Sequence, residues 1–379
     1  MDFDLSDDQR LLKDSVDRLI ADRYAFESRR KIMAEPGGWS RDMWAQFAEL
    51  GLLGLPFPEA QGGFGGGPVE TMLVMEAFGR GLVLEPFLPT VILGGGLIQA
   101  AGSPEQQKAL LPQIAQGKKT YAFAQVERSS RYNLADVQTT AKKDGDSWVI
   151  NGEKSVVIAG DTADTLIVTA RTGGGRFDRG GVGLFLVNAK AQGVTIQGYP
   201  TQDGTHAAEI RLDNVRAEGV LGDPAGGLAA AEQVLDQAIA AICAEAVGLM
   251  HEMHVTTVDY MKTRKQFGRA IGEFQVLQHR SVDMFVALEQ ARSMAIFATF
   301  AASETDAAIR SRNISAAKVQ INNSGKHIGQ ECVQLHGGIA MTMEYKAGHY
   351  FKRLAILGVL LGDVDHHLRR VVAAGGLPD

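Results

Sequence analysis

Apolar residues recur at helical spacing from Leu228 through Ile239, Ile242, Val247, Met250, Val255 and Val258 to Met261, with no proline and with Gly248 as the one internal breaker. The pattern predicts a single helix over 228–261, longer than globular helices usually run. It stops at Arg264-Lys-Gln-Phe-Gly-Arg-Ala-Ile-Gly-Glu-Phe-Gln275, where Gly268 and Gly272 let the chain reverse. A second helix is expected from near Phe274, carrying Leu277, Val282, Met284, Phe285 and Leu288 inward. Two long antiparallel helices joined by an arginine-bearing turn imply a helical bundle whose corner can hold an anion. On composition alone the same turn also reads as a solvated loop with ordinary surface charges.

Upstream, Ser6 and Gln9 form a capping-box pattern ahead of Leu11, Leu12, Val16, Leu19 and Ile20, so a helix starts at once. Another runs through Met43, Trp44, Phe47 and Leu50 and ends in Gly51-Leu-Leu-Gly-Leu-Pro-Phe-Pro58, where prolines forbid more helix. After the glycine-rich stretch 62–67, helical patterns return over Val69–Phe78 and Val91–Ala101, and Ser103-Pro104 opens another. Residues 1–120 are therefore expected to form a helical domain.

From Tyr121 the pattern changes to short β-type runs: Tyr121–Ala124, Val137–Ala141, Trp148–Ile150, Ser155–Ile158, Thr165–Ala170, Gly183–Val187, Val194–Ile196 and Ala208–Leu212. Asp144-Gly, Asn151-Gly and Asp203-Gly are read as the turns between them. These runs predict a β-barrel or sandwich over 121–225. The remainder, 226–379, is helical again, with further helices over Ala307–Ile328 and Leu354–Ala373. The fold class expected is mainly α with a central β domain: N-terminal helices, β-barrel, C-terminal four-helix bundle.

A net charge of -6 argues against a nucleic-acid footprint or a polybasic membrane patch. The acidic opening Met1-Asp-Phe-Asp-Leu-Ser-Asp-Asp lacks the marks of a signal peptide, and no run is read as reaching transmembrane length. Cys243 and Cys332 both lie in apolar, helix-like surroundings, which fits buried free thiols in a reducing cytoplasm. No metal-ligand spacing occurs, so no metal is expected.

In the order in which they occur, Gly51-Leu-Leu-Gly-Leu-Pro-Phe-Pro-Glu, Gly62-Gly-Phe-Gly, Trp148-Val-Ile-Asn-Gly-Glu-Lys154, Arg264-Lys-Gln-Phe-Gly, Phe274-Gln275 and Gln334-Leu-His-Gly-Gly338 with Glu344-Tyr345 resemble the acyl-CoA dehydrogenase family over essentially the whole chain. The resemblance implies a flavoprotein that oxidises an acyl-CoA thioester to the 2,3-enoyl form and passes electrons to an electron-transferring flavoprotein. It also implies a tetramer in which each FAD lies across a subunit contact, its pyrophosphate and adenosine end held by the neighbour. On that pattern Arg264 and Gln266 contact the pyrophosphate region, Phe267 packs beside the cofactor, and Gln334 with Gly337 and Gly338 approaches its other end. An arginine fork suits phosphate oxygens, and glycine admits close backbone approach. Phe267 can equally be core, and Gly337-Gly338 merely a turn.

The chain also departs from the family. Where members usually carry Thr-Glu-Pro and Gly-Ser-Asp, it has Val126-Glu127-Arg128 and Arg131-Tyr132-Asn133. The Trp-Ile-Thr that members place beside the flavin is Val156-Val157-Ile158, which has neither the indole nor the hydroxyl. The usual catalytic glutamate aligns with Leu361, and the second known base site, on the long helix, aligns with Ala238. Glu245, two helical turns beyond Ala238 on the same face, is the candidate base, with Asp363 a weaker one. A carboxylate among Ile242, Cys243, Ala244, Ala246 and Val247 is expected either to have a raised pKa or to pair with an arginine.

Such losses are similar to those in the small subunits of heteromeric acyl-CoA dehydrogenases, of the pimeloyl-CoA or α2β2 type. The expectation is an FAD-dependent acyl-CoA dehydrogenase subunit, a homo-oligomer or a heterotetramer with a paralogous subunit, cytoplasmic and not membrane-inserted. A non-catalytic scaffold completing a partner's FAD site and a flavin monooxygenase of the same fold are the alternatives.

Overall fold

The computed structural model describes residues 5–376; Met1–Asp4, the start of the acidic opening, lies outside the described residues. The helices are α1 (Asp7–Arg23), α2 (Phe26–Ile32), α3 (Arg41–Glu49), α4 (Pro68–Gly81), α5 (Gly96–Ala101), α6 (Pro104–Ala115), α7 (Gly227–Thr263), α8 (Gln275–Ala301), α9 (Ala307–His336), α10 (Lys346–Val359) and α11 (Val364–Ala373). The strands are β1 (Tyr121–Ala124), β2 (Thr140–Asp144), β3 (Ser147–Ile158), β4 (Thr165–Arg171), β5 (Val182–Asn188), β6 (Val194–Pro200), β7 (His206–Arg216), β8 (Gly219–Leu221), β9 (Lys265–Gln266) and β10 (Arg269–Ala270). The chain divides into two compact units, one of Met1–Lys31, Pro68–Val83 and Ile239–Asp379, the other of Ile32–Gly67 and Leu84–Ala238. The division falls inside α7.

The first unit is all helical. Ser6 and Gln9 form the predicted reciprocal cap at the start of α1. Helix α9 is the spine: α8, α10 and α11 all pack on it. α7 crosses α4 at unusually close range because each helix offers a glycine at the crossing. A Cβ on Gly248 would lie 2.0 Å from the Glu76 carbonyl oxygen, and one on Gly79 would lie 2.1 Å from that of Glu245. The breaker inside the long apolar pattern is therefore a packing requirement.

Two expectations need correction here. Leu354–Ala373 is two helices, because Leu361 and Gly362 take positive φ (58° and 128°) and Asp363 caps α11 through the His366 amide at 2.8 Å. Helix α7, by length and composition, is long and apolar enough to cross a membrane, contrary to the reading that no run is; 89% of its apolar window is buried inside the protein. Cys243 and Cys332 are buried free thiols as expected.

The second unit is built on one eight-stranded sheet in the order β6-β7-β3-β2-β4-β5-β8, with β1 paired to β4. Alternate residues face one core of Ala122, Ile150, Val157, Leu166, Val168, Phe185, Ile210 and Val215. Asn151-Gly152 is not a turn: β3 runs through it, with register shifts against β7 between Ile150 and Gly152 and between Lys154 and Val157. Glycine in a strand marks a bulge as often as a reversal. β2 starts at Thr140 rather than Val137, and the short β8 adds a strand unmarked by periodicity. Leu88–Gly95 winds as a π-helix that runs straight into α5.

Candidate functional site

The Arg264 turn folds as a small hairpin. β9 and β10 pair Gln266 with Arg269 and Lys265 with Ala270, leaving a two-residue loop, Phe267-Gly268. Both loop residues are left-handed, φ 56° and 82°, which is the twist a tight hairpin needs and which a phenylalanine rarely adopts. The Phe267 ring is 90% exposed, so it is not core. It meets Phe274 edge-on, 6.2 Å between centroids, and the Arg269 guanidinium lies over the Phe274 ring at 5.5 Å. Arg264 and Gln266 are exposed, and Arg264 makes no ion pair among the described residues.

At the end of α9 the second motif reaches the same place. Tyr260, one turn before Arg264 on α7, stacks on His336 with centroids 4.5 Å apart, and the Tyr345 ring lies tilted to His336 at 5.2 Å. His336 Nδ1 donates to the Cys332 carbonyl at 2.8 Å, and burial lowers its pKa. The stack joins the Arg264 hairpin to the turn after His336. Gln334 in the last turn of α9 and Gly337, Gly338, Ile339 and Met341 after it are all exposed. Gly337 has φ 66° and ψ -144°, a region essentially reserved for glycine. A Cβ on Gly337 or Gly338 would meet nothing within 4 Å, so packing within the chain does not demand Gly338.

The six residues suggested for cofactor contact thus share one end of the helical unit. An unpaired guanidinium, an exposed aromatic ring and open glycine backbone fit the pyrophosphate and adenosine end of a flavin dinucleotide.

The two candidate carboxylates are engaged elsewhere. Glu245 lies 5% exposed on α7, and Arg353 of α10 grips both its oxygens, Nε to Oε1 at 2.6 Å and a terminal nitrogen to Oε2 at 3.0 Å. Of the two outcomes expected for Glu245, the arginine pair is the one observed. Asp363 Oδ1 accepts the His366 amide as the cap of α11. Leu361, at the family's base position, holds the left-handed turn before it.

In the sheet unit, Glu127 and Lys154 form a buried ion pair at 2.8 Å, side chains 6% and 0% exposed. Thr139 and Gln138 amides also donate to Glu127. Burial works to raise this carboxyl, but Lys154 and those amides outweigh it and hold it below the usual range. The altered positions keep unusual backbone: Arg131 has φ 46°, and Val156, a β-branched residue 54% exposed, has φ 51°.

Sequence reasoning missed Tyr260, His336 and Arg353 as site residues. Tyr260 was findable, since one helical turn separates it from Arg264; Arg353, 108 residues from Glu245, was not.

The family model for the acyl-CoA dehydrogenase N-terminal domain matches residues 6–118, that for the middle domain 122–215 and that for the C-terminal domain 225–376. The chain is 28% identical to the probable acyl-CoA dehydrogenase YngJ of Bacillus subtilis, over 99% of each chain. Among solved structures it is similar to a variant of the Tcur3481-Tcur3483 steroid ACAD, with TM-score 0.87 and 29% identity over 97% of each chain. It is also similar to a glutaryl-CoA dehydrogenase from Mycobacterium smegmatis in complex with FADH2, with TM-score 0.87 and 26% identity over 98% of this chain and 95% of the other. With its helical ends, its central sheet and the ordered motifs all accounted for by these matches, the chain belongs to the acyl-CoA dehydrogenase family.

Proposed function

We propose that this protein is an FAD-dependent oxidoreductase subunit acting on a CoA thioester, and that it works with a paralogous acyl-CoA dehydrogenase chain which supplies the base. FAD, when bound, accepts a hydride from the substrate β-carbon. The residues of this chain bind and orient it: Arg264 and Gln266 take the pyrophosphate, Phe267 covers it, and Gln334 with Gly337 and Gly338 admits the adenosine end. The observation that carries the reading is the Tyr260–His336 stack, which gathers both motifs on an exposed surface while Glu245 and Asp363 are bound to Arg353 and the His366 amide. A carboxylate with both oxygens in a guanidinium fork is poorly arranged to take a proton from substrate. An electron-transferring flavoprotein is the acceptor this chemistry calls for.

The test is purification of the chain with its natural assembly. The wild-type assembly should be yellow and should bleach with the acyl-CoA substrate. Arg264→Ala should yield a folded but colourless assembly, and retained flavin would refute the cofactor assignment. Glu245→Gln should still allow flavin reduction; a reduction rate lowered by orders of magnitude would instead make Glu245 the base.

A further inference from the structure

The sheet unit carries a carboxylate where the resemblance would seat a flavin ring. In family members the run equivalent to Val156-Val157-Ile158 lies beside the ring, and such a ring needs donors along its polar edge. Here the donor is consumed. Val156 N–H donates to Glu209 Oε1 at 3.2 Å, and the Tyr199 hydroxyl donates to the same oxygen at 3.0 Å. Glu209 Oε2 lies 3.8 Å from Nε of Arg128, whose side chain is 82% exposed. Glu209 lies on β7 between Ala208 and Ile210, opposite the irregularity in β3 between Lys154 and Val157 that contains Val156. Burial pushes the Glu209 carboxyl up, but Ser155, Val156, Tyr199 and Arg128 outweigh it, and it stays below the usual carboxylate range.

We infer that Glu209 closes the flavin-ring face of this chain's own barrel, by occupying the Val156 amide and facing the ring position with a negative charge. The bundle end of the chain fits the pyrophosphate and adenosine of a dinucleotide, whereas the barrel does not fit the isoalloxazine. A carboxylate there offers an acceptor where a donor is needed and repels a reduced, anionic ring. The strain is consistent with this. Val156 holds a left-handed φ of 51°, which a β-branched side chain rarely adopts, and in that conformation its amide meets Glu209. The inference rests on the proposed FAD reading and separates the two halves of the cofactor between two surfaces of the protein.

The two halves can be probed apart with the purified full-length chain. ADP carries the pyrophosphate and adenosine end, and FMN carries the ring. Wild type should bind ADP but show no visible circular dichroism with FMN at the same concentrations. Glu209→Gln, which removes the charge, and Glu209→Ala, which frees the Val156 amide, should each tighten FMN at least tenfold and induce that dichroism, with ADP affinity unchanged. The inference is overturned if wild type binds FMN as tightly as ADP, a result that needs no variant, or if neither substitution improves FMN binding. Failure of ADP to bind wild type, or ADP binding unaffected by Arg264→Ala, would refute the underlying FAD reading.

Discussion

Tyr260 of α7 and His336 of α9 lie ring on ring, 4.5 Å between centroids and 30° from parallel, and that contact couples two motifs far apart in the chain. The Arg264 amide bonds to the Tyr260 carbonyl at 2.8 Å, so moving Tyr260 moves the hairpin. Tyr260→Leu keeps apolar bulk and removes the stack, which is worth about 0.5–1.5 kcal/mol in aromatic pairs. ADP or FAD affinity should fall up to about tenfold with the helical fold retained, as read by calorimetric titration and far-ultraviolet dichroism. An unchanged affinity would make the stack a packing feature only.

The glycine crossing of α4 and α7 leads to a sharper loss. Gly248→Ala drives a methyl to 2.0 Å from the Glu76 carbonyl oxygen, and the neighbouring Arg80 amide is 2.9 Å away. The helices must separate, and overpacking of this kind costs typically 1–3 kcal/mol and occasionally more. A thermal melt of Gly248→Ala should therefore fall by several degrees even though alanine favours helix by about 1 kcal/mol over glycine. Combined with Gly79→Ala, the loss should be well short of additive, since one helix displacement relieves both clashes. Any stabilisation by Gly248→Ala would contradict the crossing.

The Glu245–Arg353 pair is nearly buried, with side chains 7% and 12% exposed. Removing one partner of such a pair strands the other charge, at about 3–5 kcal/mol. Glu245→Leu should destabilise by this order, and adding Arg353→Met should recover much of it, as measured by denaturant unfolding. Full additivity of the two losses would mean that the residues do not stabilise each other.

What the sequence displayed and what it hid follow physical lines. The long helix, the chain reversal after it and the helix–sheet–helix order were legible because periodicity and glycine placement are local, whereas the β-pairing of the reversal was not. The two motifs proposed for the cofactor were visible because each is contiguous in the chain, whereas their meeting across the Tyr260–His336 stack was not. Gly248 was visible as a breaker, but its purpose lies in Glu76, on a different helix. Asn151-Gly152 misled because a bulge and a hairpin turn use the same residues. The break between α10 and α11 was hidden because the left-handed residue there is Leu361, an apolar side chain that reads as helix. The partners of Glu245 and Val156 depend on tertiary pairing with Arg353 and Glu209, and no spacing rule reports those.

Arg131 stands where family members have glycine, yet keeps a φ of 46°. Its side chain is exposed, so the backbone strain has no packing return. Arg131→Gly should relieve roughly 1 kcal/mol of left-handed strain, partly offset by the greater freedom of glycine in the unfolded chain. A rise of one to a few degrees in melting temperature is expected, at about 2–4 °C per kcal/mol or less for a chain of this size. A lower melting temperature would show that the arginine makes a stabilising contact after all.

Lys318 provides the pH dependence. Its side chain is buried in α9, 1% exposed, with Nζ donating to the Leu357 carbonyl at the end of α10. Burial, against the opposing pull of Cys243 and Glu245 and with a smaller push from Arg353, lowers its pKa from 10.5 to about 8, and His367 on α11 also feels the charge. A depressed lysine reverses the usual sign. Below about pH 8 both folded and unfolded chains carry the proton, and the full cost of burying the charge is present. Between about pH 8 and 10.5 the folded chain releases it first, so the unfolded chain holds more protons and stability contributed by this group rises with pH. Relative to Lys318→Met, which has no charge to release, wild type should gain on the order of 2 kcal/mol from about pH 7.5 to about pH 10. Denaturant unfolding of both proteins across that range measures the difference directly, and because the other titrating groups are common to both, a flat difference would show that Lys318 keeps its proton throughout.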